Sequence, residues 1–375
     1  MKGIAVLGST GSIGRQTLDV IRAFPQHFSV VALGGWSNIG LLREQVREYR
    51  PALAFWQDIG NQDALSGSAT TLSASMEEMV CNPRVDVVVV ATAGPAALLP
   101  TLQALRAKKV VALASKEVLV MAGAIIAQEQ AAGATLLPID SEASAIWQCL
   151  QGEDSSVRRI IVTASGGPFR TRPLAKLSAV TPEEALKHPT WRMGKKITVD
   201  SATMMNKAFE VMEAHWLFRV PWEKIEVVLH PQSIVHSLVE FQDGSIKAQM
   251  APPDMRLPIQ YALFYPQRIP TKGLDPLDVT KVGCLTFEAM DTRRYPCFPI
   301  ALQAAKAGGT YPAALSAADE VAVALFLEGA TSYLDIPRLV GRVVDEHIPG
   351  SATSLEDVIA ADAWARKRTL ELARA

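Results

Sequence analysis

Two acids flank one serine in "LLPIDSEASAIW", residues 136–147, directly after an apolar run that reads as a buried strand. Residues i and i+2 of an extended chain point to the same side, so Asp140 and Glu142 can converge on one cation while Ser141 faces elsewhere. The plainer reading is a cap, with Asp140 or Ser141 closing the start of a helix near Ala143. A divalent metal asks for one more protein ligand, and "KKITVDSATMMNKAFEVMEAHWLF" offers it. There Ser201 can cap a helix whose buried stripe is Met205, Ala208, Met212 and Trp216, leaving Asn206, Lys207, Glu210 and Glu213 on another face. Ordinary solvated surface would account for that face. An amide and an ammonium one turn from a helix start can equally hold a phosphate, assisted by Ser201 and the helix dipole. Glu210, one turn further along, is the candidate third carboxylate.

A third stretch with chemical potential is "LKHPTWRMGKK", residues 186–196. Proline, glycine and paired lysines around His188, Trp191 and Met193 suit a mobile loop whose aromatic tip covers a ligand. A structural histidine and a tryptophan that merely pins its loop are the alternatives. In "ALASKEVLV" Lys116 and Glu117 stand at the end of another apolar run, at the sheet edge where parallel α/β folds bind ligands, with a surface ion pair as the plain alternative.

The elements that must position these residues begin with "KGIAVLGSTGSIGRQTLDVIRAFP", an apolar strand, a glycine-rich turn and a helix with Ile13, Thr17, Val20, Ile21 and Phe24 at helical spacing. Gly8, Gly11 and Gly14 let backbone approach a pyrophosphate, whose charge the helix N-terminus favours. Further short apolar strands alternate with helical patterns, which predicts a doubly wound parallel sheet. The second strand ends "GGWSNIG" with no acid for a ribose hydroxyl, and Ser37 and Asn38 can donate to a 2'-phosphate, which favours NADP. Trp36 is either packing or an adenine neighbour. After residue 150, "RRIIVTASGGPF" and "IVHSLVEFQDGSIKAQM" indicate a separate, partly antiparallel sheet, the latter a hairpin turning at Asp243-Gly244. Four helical patterns follow Asp291. The expected organisation is a Rossmann-like α/β domain over 1–129, an α+β catalytic domain over 130–265, a linker over 266–290 and a C-terminal helical bundle over 291–375.

Bulk composition narrows the partner. A chain of 375 residues with 37 basic and 38 acidic side chains is long enough for two or three domains and has no basic field for nucleic acid. The longest uncharged stretch, Val87 to Leu105, is broken by Gly94-Pro95 and Pro100, so no membrane span is expected. A strand beginning at Gly3 leaves no room for a signal peptide, and four cysteines without a CxxC pair suit a reducing compartment. A cytoplasmic protein with a small-molecule substrate is the expectation.

"GSTGSIG", "SKE", "IDSE", "SGGPF", "HPTWRMGKKITVDSATMMNKAFE", "HPQSIVHS", "PPDMR" and "RRYPCF" occur in the order seen in the 1-deoxy-D-xylulose 5-phosphate reductoisomerases, which the chain resembles over nearly its whole length. The resemblance implies an NADPH-dependent homodimer that makes 2-C-methyl-D-erythritol 4-phosphate on the non-mevalonate route to isoprenoid precursors. It implies Mg2+ or Mn2+ on Asp140, Glu142 and Glu210, and the substrate phosphate on Ser165, Ser201, Asn206 and Lys207. Lys116, Ser141 and His188 match positions around the sugar hydroxyls, and Trp191 matches the flap aromatic. Catalytic duty falls on Lys116, Glu142, His188, Trp191 and Glu210. Thr10, Gly11, Ser12, Ile13, Asn38, Glu117 and Gly194 match cofactor contacts. Trp36-Ser37 stands where many relatives carry glycine and a basic residue, and Ser115 where many carry asparagine; these three complete the expected cofactor set. A plain dehydrogenase, a metal-free aldose reductase and a non-catalytic NADP sensor share the first domain, but none needs the three carboxylates.

Overall fold

A computed structural model of the chain describes residues 1–57, 70–153 and 157–374. The described residues fall into two compact units. The first comprises Met1–Val118, Ile126–Ser144 and Asp254–Asp275. Its seven strands are β1 (Lys2–Leu7), β2 (Phe28–Gly35), β3 (Leu53–Trp56), β4 (Thr71–Leu72), β5 (Val87–Val90), β6 (Val110–Leu113) and β7 (Leu136–Pro138). They lie in the order β4-β3-β2-β1-β5-β6-β7, and every pairing is parallel. This is the doubly wound, Rossmann-like sheet expected. Ile4 to Leu7 and Val88 to Val90 are wholly buried, as unbroken apolar runs in a sheet covered on both faces must be. Strand order reverses between β1 and β5, so the loop leaving β1 sits at the switch point where such sheets bind ligands. The helix Arg256–Phe264, distant in sequence, joins this unit by packing on the helix Ser12–Ala23. Its Phe264 ring lies edge-on to Phe24 and Phe28, with centroids 5.1 and 4.8 Å away.

The second unit comprises Leu119–Ile125, Ala145–Pro253 and Pro276–Ala375. Its sheet is mixed: β8 (Val157–Ala164), β9 (Ile225–Leu229), β10 (Val235–Phe241), β11 (Ile246–Met250) and β12 (Glu288–Ala289) run in the order β11-β10-β8-β9-β12. β8 and β9 are parallel and the other pairs antiparallel. The hairpin β10–β11 turns at Asp243-Gly244 as expected, with Ser245 N–H donating to the Asp243 carboxylate at 2.9 Å. The segment read as a linker is not featureless: it carries the short helix Val279–Val282 and ends in β12. Four helices follow, Cys297–Ala307, Tyr311–Leu327, Asp335–Glu346 and Leu355–Arg374, matching the four patterns in the sequence. Their apolar faces share one core with β8 and the helix Met205–Phe218, a core that includes Phe209, Phe326 and Tyr295. Among the described residues no helix is long and apolar enough to cross a membrane, and all four cysteines are free.

Candidate active site

In the first unit the glycine-rich turn is built as the pattern requires. Gly8 has φ +83°, and a Cβ on Gly14 would lie 2.2 Å from the Gly8 carbonyl oxygen, so neither position accepts a side chain. Gly11 N-caps the helix Ser12–Ala23 with no side-chain cap and no acid in the first turn, which leaves the positive end of that helix to an anion. Thr10, Ser12 and Ile13 are half-buried around it and Gly11 is exposed. At the end of β2, Trp36, Ser37 and Asn38 are exposed, and the Trp36 ring tilts on Phe55 with centroids 6.3 Å apart. Asn38 uses its side-chain oxygen to accept from Leu41 N–H at 3.0 Å, capping the next helix. Its NH2 group is therefore the part that can meet a phosphate.

The surface-pair alternative for Lys116 and Glu117 does not hold. Lys116 is only 4 % exposed, and its ammonium pairs with the Asp140 carboxylate at 3.2 Å. Glu117 instead accepts from the Ser115 hydroxyl at 3.1 Å. The helix expected near Ala143 starts at Ser141, so Glu142 lies in its first turn and not on an extended strand. The alternating-strand argument for Asp140 and Glu142 therefore fails on its geometry: Asp140 stands just outside the helix and Glu142 inside it. Nor does Ser141 face elsewhere, since its hydroxyl donates to the Glu142 carboxylate.

In the second unit three of the four candidate phosphate residues, Ser201, Asn206 and Lys207, lie on two consecutive helices, Lys195–Thr203 and Met205–Phe218, while Ser165 directly follows β8. The two helices are separated by Met204 in the left-handed region (φ +61°), which ends one helix and starts the next. Ser201 thus lies inside the first helix and does not cap the second, a correction of the sequence expectation. The polar face is not solvated either: Lys207, Glu210 and Glu213 are 4, 3 and 0 % exposed. Glu210 accepts from the Asn206 amide at 2.6 Å and from the Lys207 ammonium. A buried carboxylate against a buried ammonium, with an amide on its other oxygen, has the partners such an acid needs.

His188 and Ser165 meet. His188 Nδ1 accepts from the backbone N–H groups of Thr190 (3.2 Å) and Trp191 (2.9 Å), so its proton is on Nε2, which donates to Ser165 Oγ at 2.9 Å. Ser165 Oγ also accepts from Gly167 N–H at 3.2 Å, which leaves the serine's own proton to point at an acceptor. Trp191 is half-buried with its ring 6.0 Å from that of His236. Gly194 N-caps the helix Lys195–Thr203, so Lys195 and Lys196, read as the end of the loop, are its first helical turn.

Sequence reasoning passed over a buried cluster in this unit. The Lys196 ammonium lies 2.6 Å from Asp200 and 2.8 Å from Asp319, with both acids essentially inaccessible. The signal was Asp319 within the largely apolar "AALSAADEVAVALF". It also gave no role to Arg294 and Tyr295 of "RRYPCF" or to Tyr333, whose side chains bond backbone carbonyls.

A switch-point loop shaped for a pyrophosphate, with lysines and acids buried near strand and helix ends, marks a dinucleotide-dependent oxidoreductase. The family model described as 1-deoxy-D-xylulose 5-phosphate reductoisomerase matches residues 4–123. Two C-terminal domain models of the same reductoisomerase match residues 136–218 and 250–368. The reductoisomerase of Pelotomaculum thermopropionicum is 51% identical over 384 residues, covering 100% of this chain and 99% of its own. A solved reductoisomerase from Zymomonas mobilis in complex with NADPH is 42% identical, with a TM-score of 0.92 over 100% of this chain and 99% of that one. Another, in complex with NADPH, fosmidomycin and magnesium, is 36% identical with a TM-score of 0.95 over 100% and 98%. The chain belongs to the 1-deoxy-D-xylulose 5-phosphate reductoisomerase family.

Proposed function

We propose that the chain converts 1-deoxy-D-xylulose 5-phosphate and NADPH to 2-C-methyl-D-erythritol 4-phosphate and NADP+, with Mg2+ or Mn2+, in isoprenoid precursor synthesis. The observation that carries this reading is full-length likeness to a reductoisomerase holding NADPH, fosmidomycin and magnesium. Asp140, Glu142 and Glu210 are the acids that would hold the cation. All three are carboxylates, and an all-carboxylate set suits a hard divalent ion. When bound, the cation supplies Lewis acidity to the sugar's hydroxyl and carbonyl oxygens, and the dinucleotide supplies the hydride.

The chain's own residues do the rest. Ser165, Ser201, Asn206 and Lys207 hold the phosphate; the Ser165 hydroxyl is suited to donate because two N–H groups already fill its acceptor side. That remote binding energy can close the loop 186–196, with Trp191 excluding water from the reacting carbons. Lys116, Ser141 and His188 orient the sugar hydroxyls, and the ion pair to Asp140 fixes the Lys116 ammonium. Thr10, Gly11, Ser12 and Ile13 receive the dinucleotide phosphates at the helix start, assisted by Trp36, Ser37, Asn38, Ser115, Glu117 and Gly194.

The division of labour among segments 1–129, 130–265 and 291–375, with 266–290 as connection, belongs to this reading, although Asp254–Asp275 packs with the first unit and Pro276–Ala375 with the second. The reading also includes a cytoplasmic homodimer; sedimentation velocity reads the dimer directly, and a monomer at micromolar concentration contradicts it. The activity is tested by following NADPH absorbance with the sugar phosphate and Mn2+. Metal-dependent oxidation blocked by fosmidomycin is expected; no oxidation above the substrate-free rate would sink the reading.

A further inference from the structure

The two serines assigned to the phosphate stand on short backbone segments whose carbonyls are held from the C-terminal part of the same unit. Gly166, next after Ser165, accepts from the Tyr295 hydroxyl at 2.8 Å. Ala202, next after Ser201, accepts from the Tyr333 hydroxyl at 2.7 Å. Arg294 completes the set, its Nη1 donating to Phe169 O at 3.0 Å and to Arg172 O. Both phenols are buried, at 1 and 4 % exposure. Burial raises the Tyr295 hydroxyl to about 12 and the Tyr333 hydroxyl well above its ordinary value, so both remain donors.

Each bond answers a local need. Gly166 and Gly167 are consecutive left-handed residues (φ +83° and +65°), a sharp reversal that exposes its carbonyls to no regular partner. Ala202 lies in the last turn of the helix Lys195–Thr203, where carbonyls have no helical donor. The two segments also touch: a Cβ on Gly167 would lie 2.6 Å from Ser201 O, and the Phe169 ring meets Tyr333 edge-on at 5.3 Å. Displacing either carbonyl therefore displaces both serines.

We propose that Tyr295, Tyr333 and Arg294 are positioning residues that set the Ser165 and Ser201 hydroxyls for the substrate phosphate, without touching substrate themselves. The proposal rests on the assignment of those serines to the phosphate. It gives the segments just before the helices Cys297–Ala307 and Asp335–Glu346 a part in shaping the phosphate site.

The test measures kcat, KM for each substrate, inhibition by inorganic phosphate and thermal unfolding for Tyr295→Phe and Tyr333→Phe, with Ser165→Ala and Ser201→Ala beside them. Each phenylalanine variant should raise KM for the sugar phosphate about tenfold, the scale of one or two hydrogen bonds. Phosphate inhibition should weaken by the same factor, while KM for NADPH stays within twofold. A lowered melting temperature with KM for the sugar phosphate and phosphate inhibition unchanged would leave the tyrosines purely structural and overturn the proposal. Should a phenylalanine variant fail to fold, Arg294→Lys gives the same readout at the Phe169 and Arg172 carbonyls, with an unchanged KM again overturning it. The serine variants separate the two layers. If they raise KM and the tyrosine variants do not, positioning alone fails; if they too leave KM unchanged, the serine assignment fails and the proposal falls with it.

Discussion

Glu210 is an acid that its own helix, read alone, would turn towards water. Its type and its spacing from Asn206 and Lys207 are legible in the sequence, but its burial is not, because burial depends on what packs over that face. The same holds for Lys116, whose partner proved to be Asp140, 24 positions away, and not the adjacent Glu117. Removing the charge of Glu210 while keeping its shape should mainly disturb a cation. Glu210→Gln is expected to cut turnover about a hundredfold or more and to weaken Mn2+ binding, leaving the NADPH dissociation constant unchanged. Unaltered Mn2+ affinity in that variant, read by calorimetry, would take Glu210 out of the cation site. Away from the site, His215 stacks on Trp222 with centroids 3.6 Å apart, and its Nδ1 donates to Val220 O at 2.7 Å. Burial holds its pKa below the ordinary histidine value. The unfolded chain therefore binds the proton first as pH falls below about 6.5, and folded-state stability declines from there downward. Denaturant unfolding at pH 7 and pH 5.5 should show that loss, smaller in His215→Asn; an equal loss in both proteins would assign it elsewhere.

Among the elements, strands and helices were read more securely than their ends. The parallel sheet and the hairpin follow from apolar runs and turn residues that act locally. Where the Ser141 helix begins, and where Met204 breaks one helix from the next, depends on backbone choices that no single residue type announces. That is why Ser201 was expected as a cap and is found inside a helix. The loop 186–196 was legible by composition, but the turn that organises it was not: His188 accepts two N–H groups from the residues just after it. If this loop closes on the sugar phosphate, Trp191→Ala should lower kcat/KM for the sugar at least about tenfold while sparing NADPH binding. Limited proteolysis gives the companion readout, with fosmidomycin and Mn2+ slowing cleavage between Leu186 and Lys196. Cleavage at one rate with and without ligand, and unchanged kinetics in the alanine variant, would reduce the loop to a connection.

At the scale of the molecule, composition argued for a small-molecule partner, and the motif order carried the family. The placement of Asp254–Asp275 in the first unit was not legible, since it rests on Phe264 meeting Phe24 and Phe28 from far along the chain. The turn that follows β2 is the proposed reader of the cofactor's 2'-phosphate. With no acid there and only neutral donors at Ser37 and Asn38, NADPH should exceed NADH in kcat/KM by about tenfold, the scale of one or two neutral hydrogen bonds. Equal values would show that this turn does not read the 2'-phosphate. The account stands or falls on rearrangement accompanying reduction, which a plain dehydrogenase does not perform. NMR of the product formed from carbon-13-labelled 1-deoxy-D-xylulose 5-phosphate, NADPH and Mn2+ reads this directly. The account predicts a branched carbon skeleton, formed in step with NADPH consumption and abolished by EDTA; a straight-chain deoxypentitol phosphate would contradict it.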